Sequence, residues 1–382
     1  MSSNAAVADW EPHARDLANA VVRPDSPWWE PIASTPRHLL VPRWWERGDS
    51  GRVVHDGAAD VPAWLRAAYA DDTLVTRIGP VHADHAAPGQ VAEGRSTSSS
   101  TLPTLVVGMY RHAELAEGCR TLVTTGTGYG TALACHRLGA DLVTSVDVDP
   151  YLVEAAADRL STIGLTPHTA VCDLTGELPG RYDRIVSTVS VRPVPATWLR
   201  ALNPGGRLVT TITGTGLILI ADKTAYGGAR GHITYDGASF MAPRHGDDYD
   251  DTSPAPEVWE VADGDGEQVS TSRYPLLYVP DSWAVRSMLE LESPGIEHRR
   301  QRHDGGRTIY MAHPDGSWAR ARANGRESPT VRQGGPRRLW DLLDGIRDRL
   351  NSTGELPVHG ARVLIAPDGE TTLFRDSWSA TL

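Results

Sequence analysis

The chemistry-bearing residues of this chain cluster in one short stretch. Thr121-Leu-Val-Thr-Thr-Gly-Thr-Gly-Tyr-Gly130 reads as an apolar strand running into a Gly-x-Gly turn, and Ser145-Val-Asp-Val-Asp149 as a second strand ending in a carboxylate. Glycines let a backbone approach a nucleotide-type ligand, and an acid about twenty residues on, at the end of the next strand, accepts ribose hydroxyls. Asp147 holds that position. Its competing role, capping the helix that begins at Pro150, is better served by Asp149. Asp173, in Ala170-Val-Cys-Asp-Leu-Thr175, follows a third apolar run, where a carboxylate could take an adenine amino group; its plainer role is a solvated strand-end acid. A dinucleotide site would show Gly-x-Gly-x-x-Gly, and the third glycine is absent at that spacing, which favours S-adenosylmethionine. The candidate cofactor residues are Thr125, Gly126, Thr127, Gly128, Tyr129, Asp147, Val148, Asp173 and Leu174.

The elements that must position these residues alternate. Candidate strands lie at 121–125, 142–146, 184–189 and 207–212, and candidate helices at 103–117, 129–138, 150–163 and 195–202. Strands spaced by helices imply a parallel sheet covered on both faces. The expected fold is therefore α/β: a Rossmann-like domain with a mostly parallel seven-stranded sheet over residues 1–245, including an N-terminal helical segment. An acidic, Pro-containing linker at 246–257 and a smaller C-terminal α+β domain at 258–382 complete the expected architecture. Within the last block, 339–350 reads as a helix and 362–374 as strand–turn–strand, turned at Pro-Asp-Gly. Residues 80–100 read as a polar loop ending in a hydroxyl-rich run.

Composition narrows the function classes. A length of 382 residues favours two domains. The formal net charge of −11 disfavours general binding to a phosphate backbone, so no nucleic-acid partner is expected. Three cysteines without paired spacing fit a reducing compartment, and neither a signal peptide nor an apolar span is legible, so a cytoplasmic location and no membrane association are expected. His82, His85 and His112 lack ligand spacing and read as surface residues; no metal is expected. Twelve tryptophans against two phenylalanines suggest packing at domain seams or the aromatic walls of a peptide groove.

Several ordered motifs over roughly residues 30–245 resemble the protein-L-isoaspartate O-methyltransferase family: Thr35-Pro-Arg-His-Leu-Leu-Val-Pro42, Ala68-Tyr-Ala-Asp-Asp-Thr-Leu74, Gly126-Thr-Gly-Tyr-Gly130 and Leu202-Asn-Pro-Gly-Gly-Arg-Leu208. The resemblance implies a class I S-adenosylmethionine-dependent carboxyl O-methyltransferase that releases S-adenosylhomocysteine. The family's Gln-Thr-Ile-Ser-x-Pro loop corresponds here to 98–103. That places Thr101 at the hydroxyl position, with Ser98, Ser99 and Ser100 before it, as the candidate catalytic residues. The chain departs from the family at Thr104, where an aromatic or His is usual, and in the insertion Pro80–Thr97.

The altered loop and added C-terminal block are similar to methyltransferases that accompany ATP-grasp ligases in the maturation of ribosomal peptides (graspetides). That similarity implies methylation of an aspartate in a macrocyclised peptide, the ester closing to an aspartimide, in functional association with the ligase. Repair of isoaspartyl residues with an accessory domain is the alternative. A non-catalytic peptide-presenting module is a third, disfavoured by the intact Gly126, Gly128 and Asp147.

Overall fold

The computed structural model describes residues 9–48, 51–246, 248–249, 254–325 and 327–382. The extreme N-terminus, read above for targeting signals, and part of the acidic stretch 246–257 lie outside the described residues.

A ten-stranded sheet forms the backbone of the molecule. Its first five strands in spatial order are His168–Val171, Val143–Asp147, Thr121–Thr124, Tyr182–Val186 and Leu202–Thr211, all mutually parallel. Parallel neighbours need crossovers, and the helices Tyr129–Leu138, Pro150–Thr162 and Ala196–Ala201 supply them. The central strands carry branched apolar residues, as sheets covered on both faces do: Leu122, Val123, Val143, Val146, Ile185 and Val186 are all buried. Leu217–Lys223 and Ala229–Gly237 then continue the sheet antiparallel.

Three further strands, Arg362–Ile365, Thr371–Arg375 and Trp378–Thr381, pair onto Ala229–Gly237. The sheet thus has ten strands rather than the expected seven, and half of them are parallel. The expected strand–turn–strand at 362–374 is present, but its partner is the central sheet, so the C-terminal block of 258–382 crosses the expected division. The physical reason is the open edge of Ala229–Gly237, which the tail covers.

The rest of that block is a five-stranded antiparallel sheet, in the order Gln268–Thr271, Thr330–Gly334, Trp318–Asn324, Gly306–Ala312, Glu297–His303, backed by helices Trp283–Glu292 and Leu339–Thr353. One apolar core runs through both units: Ile212, Leu217 and Leu219 of the central sheet pack in the same cluster as Met288, Leu289, Trp340 and Leu343. Trp283 seats its indole on two glycines. A Cβ added at Gly216 would lie 2.0 Å from Trp283 Nε1, and one at Gly237 would lie 2.9 Å from its ring. Trp28, Trp44, Trp45, Trp198, Trp318, Trp340 and Trp378 are buried, which matches packing rather than groove walls.

The polar loop expected at 80–100 is instead structured. Val81–His82, Val91–Ala92 and Ser96–Ser100 join a second, N-terminal sheet with Arg43–Gly48, Gly51–Asp56 and Leu74–Ile78. A low apolar content concealed these strands because they are short and pair at edges. No described helix is long and apolar enough to cross a membrane.

Gly216→Ala should cost about 2 kcal/mol, since the rigid Trp283 indole must move. Urea unfolding followed by tryptophan fluorescence and by far-UV dichroism should show one coincident transition, shifted to lower urea. Two separated transitions would show that the units do not share a core.

Candidate functional site

The Gly-x-Gly turn sits where the strand Thr121–Thr124 gives way to the helix Tyr129–Leu138. Gly126 and Gly128 adopt φ of +50° and +89°, conformations that favour glycine. A side chain at Gly126 would also meet the Ser99 carbonyl, 3.2 Å from its Cβ. The turn and the hydroxyl loop therefore touch.

Asp147 ends the strand Val143–Asp147 as expected. Its Oδ2 accepts from the Gly126 N–H at 3.2 Å and its Oδ1 from the Asp149 N–H at 3.1 Å. Burial raises its pKa against those two hydrogen bonds. A half-buried carboxylate of this kind is well matched to neutral hydroxyl donors such as a ribose diol. Asp149 caps the next helix through the Tyr151 N–H at 3.0 Å. It is also ringed by His82 Nε2 at 3.0 Å, Arg244 at 3.1 Å and Arg77 at 3.5 Å. Burial alone would raise the Asp149 carboxyl, but the hydrogen bond from His82 and the two arginines hold it well below the ordinary carboxylate range.

His82 is thus a buried partner of Asp149, not the surface histidine expected from the sequence. His85 packs against Tyr151 with the rings tilted by 56°, and His112 pairs with Asp236 at 3.1 Å. Among the described residues no group of His, Cys, Asp and Glu has the arrangement of a metal site.

Asp173 lies across the same cleft. Its Oδ1 accepts from the Thr175 N–H and hydroxyl, and its Oδ2 meets His245 Nδ1 at 2.8 Å. Partial burial opposes ionisation, yet these bonds keep its pKa below the ordinary value. Gly126, Asp147, Val148, Asp173 and Leu174 all line one cavity, together with Thr101, Ser99 and Ser98. The other candidates shape the turn from behind. Thr125 and Thr131 both hydrogen-bond to Ser145 Oγ at 2.8 Å, and Gly128 begins the helix. Tyr129 is buried under Arg37, and Thr127 is buried as well.

The strand Ser96–Ser100 pairs antiparallel with Leu74–Ile78, with register shifts at Val75/Arg77 and Arg77/Ile78. Such bulges re-aim side chains, and here they divide the hydroxyls. Ser99 and Thr101 line the cavity, and Ser98 does so with its Oγ within 3.2 Å of the Thr76 hydroxyl. Ser100 is buried beside Arg37 and is not among the lining residues.

Arg37 sets this geometry. It is fully buried, and its guanidinium donates to the carbonyls of Ala68, Ala70, Asp72, Ser100 and Thr101. Its ring contact with Tyr129, 4.9 Å to the centroid, ties the hydroxyl loop to the helix behind the glycine turn. Asp71 caps the helix Pro103–His112 through the Thr104 N–H at 2.9 Å, and Thr73 Oγ1 accepts from the Leu102 N–H at 3.1 Å. Pro103 falls in the first helical turn, as expected. Thr104, the departure from the usual aromatic or His, here serves this cap.

The sequence reading missed the roof. Residues 239–244 and Tyr249 line the cavity. Met241 O accepts from the Ser190 N–H at 2.9 Å, Arg244 reaches Asp149, and the Tyr249 hydroxyl donates to Ser96 O at 3.3 Å. Residues 239–244 follow the strand Ala229–Gly237 with no glycine or acid among them, and Tyr249 lies in the stretch expected to be an acidic linker. The arginine–tyrosine–histidine content of 244–249 was the available hint.

Residues 72–229 match the family model for protein-L-isoaspartate(D-aspartate) O-methyltransferase (PCMT). A protein-L-isoaspartate O-methyltransferase of Thermococcus onnurineus is 33% identical over 136 residues, 34% of this chain and 59% of that protein. A ribosomal protein L11 methyltransferase of Pelobacter propionicus is 33% identical over 161 residues, 39% of this chain and 47% of that protein. The chain thus spans less than two thirds of the length of these curated relatives. A solved protein-L-isoaspartate O-methyltransferase aligns over 98% of this chain and 99% of its own, at 17% identity and a TM-score of 0.49.

Arg37→Leu should destabilise the protein by about 3 kcal/mol, because several buried carbonyls lose a charged donor. Arg37→Lys should recover little of this, since an ammonium cannot replace a planar fork. Urea midpoints of the two variants check both statements; a lysine variant as stable as the parent would refute the clamp.

Proposed function

We propose that this chain is an S-adenosylmethionine-dependent O-methyltransferase whose acceptor is an aspartate carboxylate in a macrocyclised ribosomal peptide. The observation that carries the methyltransferase reading is the cavity lined together by Gly126, Asp147, Asp173, Ser99 and Thr101. Asp147 would hold the ribose of the donor, Gly126 its backbone flank, and Asp173, Val148 and Leu174 its adenine. When bound, S-adenosylmethionine supplies a methyl group on a sulfonium.

The chain's own residues then bind and orient. A carboxylate is ionised at neutral pH, so the site needs no general base. Ser99 and Thr101 would donate neutral hydrogen bonds that aim one carboxylate oxygen without quenching it. The cationic group on the wall, Arg244, is engaged with Asp149 and the Gly246 carbonyl. Leu102, Leu105, Phe240 and Met241 give the cavity an apolar side that excludes water, and the rest is alignment. In the substrate, the ester carbonyl is open to attack by the following backbone nitrogen. That nitrogen loses its proton as methanol leaves, and an aspartimide closes.

The peptide acceptor is supported by the rebuilt acceptor side. The structured 80–97 insertion, Thr104 as a capped residue and the roof of residues 239–244 and Tyr249 all differ from what the family loop motif alone would build. An ATP-grasp ligase that makes the macrocycle is the expected functional partner. Repair of isoaspartyl residues stays the second reading, favoured by the names of the relatives.

Incubating the protein with S-adenosylmethionine and a ligase-cyclised precursor should add one methylene by mass and then leave the peptide one water lighter than at the start. Turnover of an isoaspartyl test peptide, with the cyclised precursor untouched, would overturn the acceptor assignment. Asp147→Ala should weaken S-adenosylmethionine binding, measured calorimetrically, by about tenfold or more; unchanged affinity would remove the cofactor assignment.

A further inference from the structure

The reaction leaves one conspicuous feature of the molecule unused, the free edge of the five-stranded sheet. The strand Glu297–His303 pairs on one side only, with Gly306–Ala312. Among the described residues no turn, loop or cap backbone hydrogen bond reaches its other side. Seven residues of open edge is a template for another extended chain.

The charge of this edge is opposite to that of the chain. The edge strand Glu297–His303 carries Arg299, Arg300 and Arg302 against the single carboxylate of Glu297, in a protein of formal net charge −11. Two arginines are held in place. Arg299 stacks 3.8 Å from the Trp259 ring centroid, and Arg300 lies 4.8 Å from that of Tyr278 and 3.3 Å from Asp281. Arg302 and Arg307 are directly opposite in the register, are exposed, and have no ion-pair partner among the described residues. Like charges facing each other across a strand pair repel. An anion between them would relieve that repulsion.

We propose that the edge strand Glu297–His303, with Arg302 and Arg307 beside its end, docks an extended acidic segment of the peptide substrate as an added sixth strand. Backbone hydrogen bonds supply the register, and the paired arginines select carboxylate side chains. The proposal rests on the peptide-acceptor reading above but concerns recognition rather than methyl transfer.

The test uses the full chain and a fluorescent, Asp/Glu-rich linear peptide long enough to span the strand, followed by anisotropy without S-adenosylmethionine. Binding is expected, and the double variant R302E/R307E should weaken it by at least about tenfold. A probe N-methylated at alternate residues keeps its charge but cannot pair along the edge, and should lose affinity to a similar extent. R302Q/R307Q removes the repulsion without reversing charge; it should keep the parental melting temperature and guard against a folding artefact in the reversal. Four results would overturn the proposal: no binding, binding insensitive to these arginines, full binding of the N-methylated probe, or preferential binding of a single-stranded RNA of equal charge. Reversal variants that merely self-associate, with no peptide bound by the parent, would assign the arginines to guarding the edge and also overturn it. Loss of docking with methylation of the cyclised peptide intact would remove this surface alone; docking without any methylation would remove the reaction.

Discussion

The arrangement depends most on one buried cation. Arg37 has no carboxylate within its hydrogen bonds; five main-chain carbonyls and the Tyr129 ring share its charge. Such a group is costly to bury unless its donors are used; both terminal nitrogens of Arg37 are engaged, while its buried Nε has no partner among the described residues. The turn 68–72, the loop at 100–101 and the helix behind the glycine turn are held in one relative placement by their shared contacts with Arg37. That placement sets the Ser99 carbonyl against Gly126 and puts Thr101 on the cavity wall. The Pro-Arg-His segment, far from the glycine turn in sequence, is therefore a clamp on the hydroxyl loop.

Asp149 plays the corresponding part on the donor side. It caps a helix and also collects His82 from the insertion, Arg77 from the N-terminal sheet and Arg244 from the roof. Among the described residues, Asp147, two positions earlier, has two amide donors, and burial raises its pKa. One acid is engaged by two arginines and a histidine and caps a helix; its neighbour has no ion pair among the described residues. That division of labour explains why two aspartates so close together are not redundant.

The sequence carried the parts of this account that depend on local geometry. Gly126 and Gly128 announced left-handed turns, Asp147 announced a strand end, and Pro150 after Asp149 announced a capped helix. The parallel strands were legible for the same reason: alternation of short apolar runs and helices is a local pattern. What stayed hidden is non-local. The tail strands 362–381 were visible as a hairpin, but nothing in them says that they complete the central sheet. His82 looked like a surface residue because its partner lies 67 positions away, and the roof 239–244 has no composition that marks a wall. Of the hydroxyl run, the bulges against Leu74–Ile78 decide which side chains face the cavity, and register shifts leave no trace in composition.

The central claim is that the donor lies between the Gly126 turn and Asp173, opposite the hydroxyl loop. A crystal structure of the chain with S-adenosylhomocysteine tests it most directly. The account predicts both ribose hydroxyls within hydrogen-bonding distance of Asp147, the adenine beside Asp173 and Leu174, and the sulfur facing Ser99 and Thr101. A product bound elsewhere, or seated with Asp147 untouched and its sulfur turned from the hydroxyl loop, would contradict it.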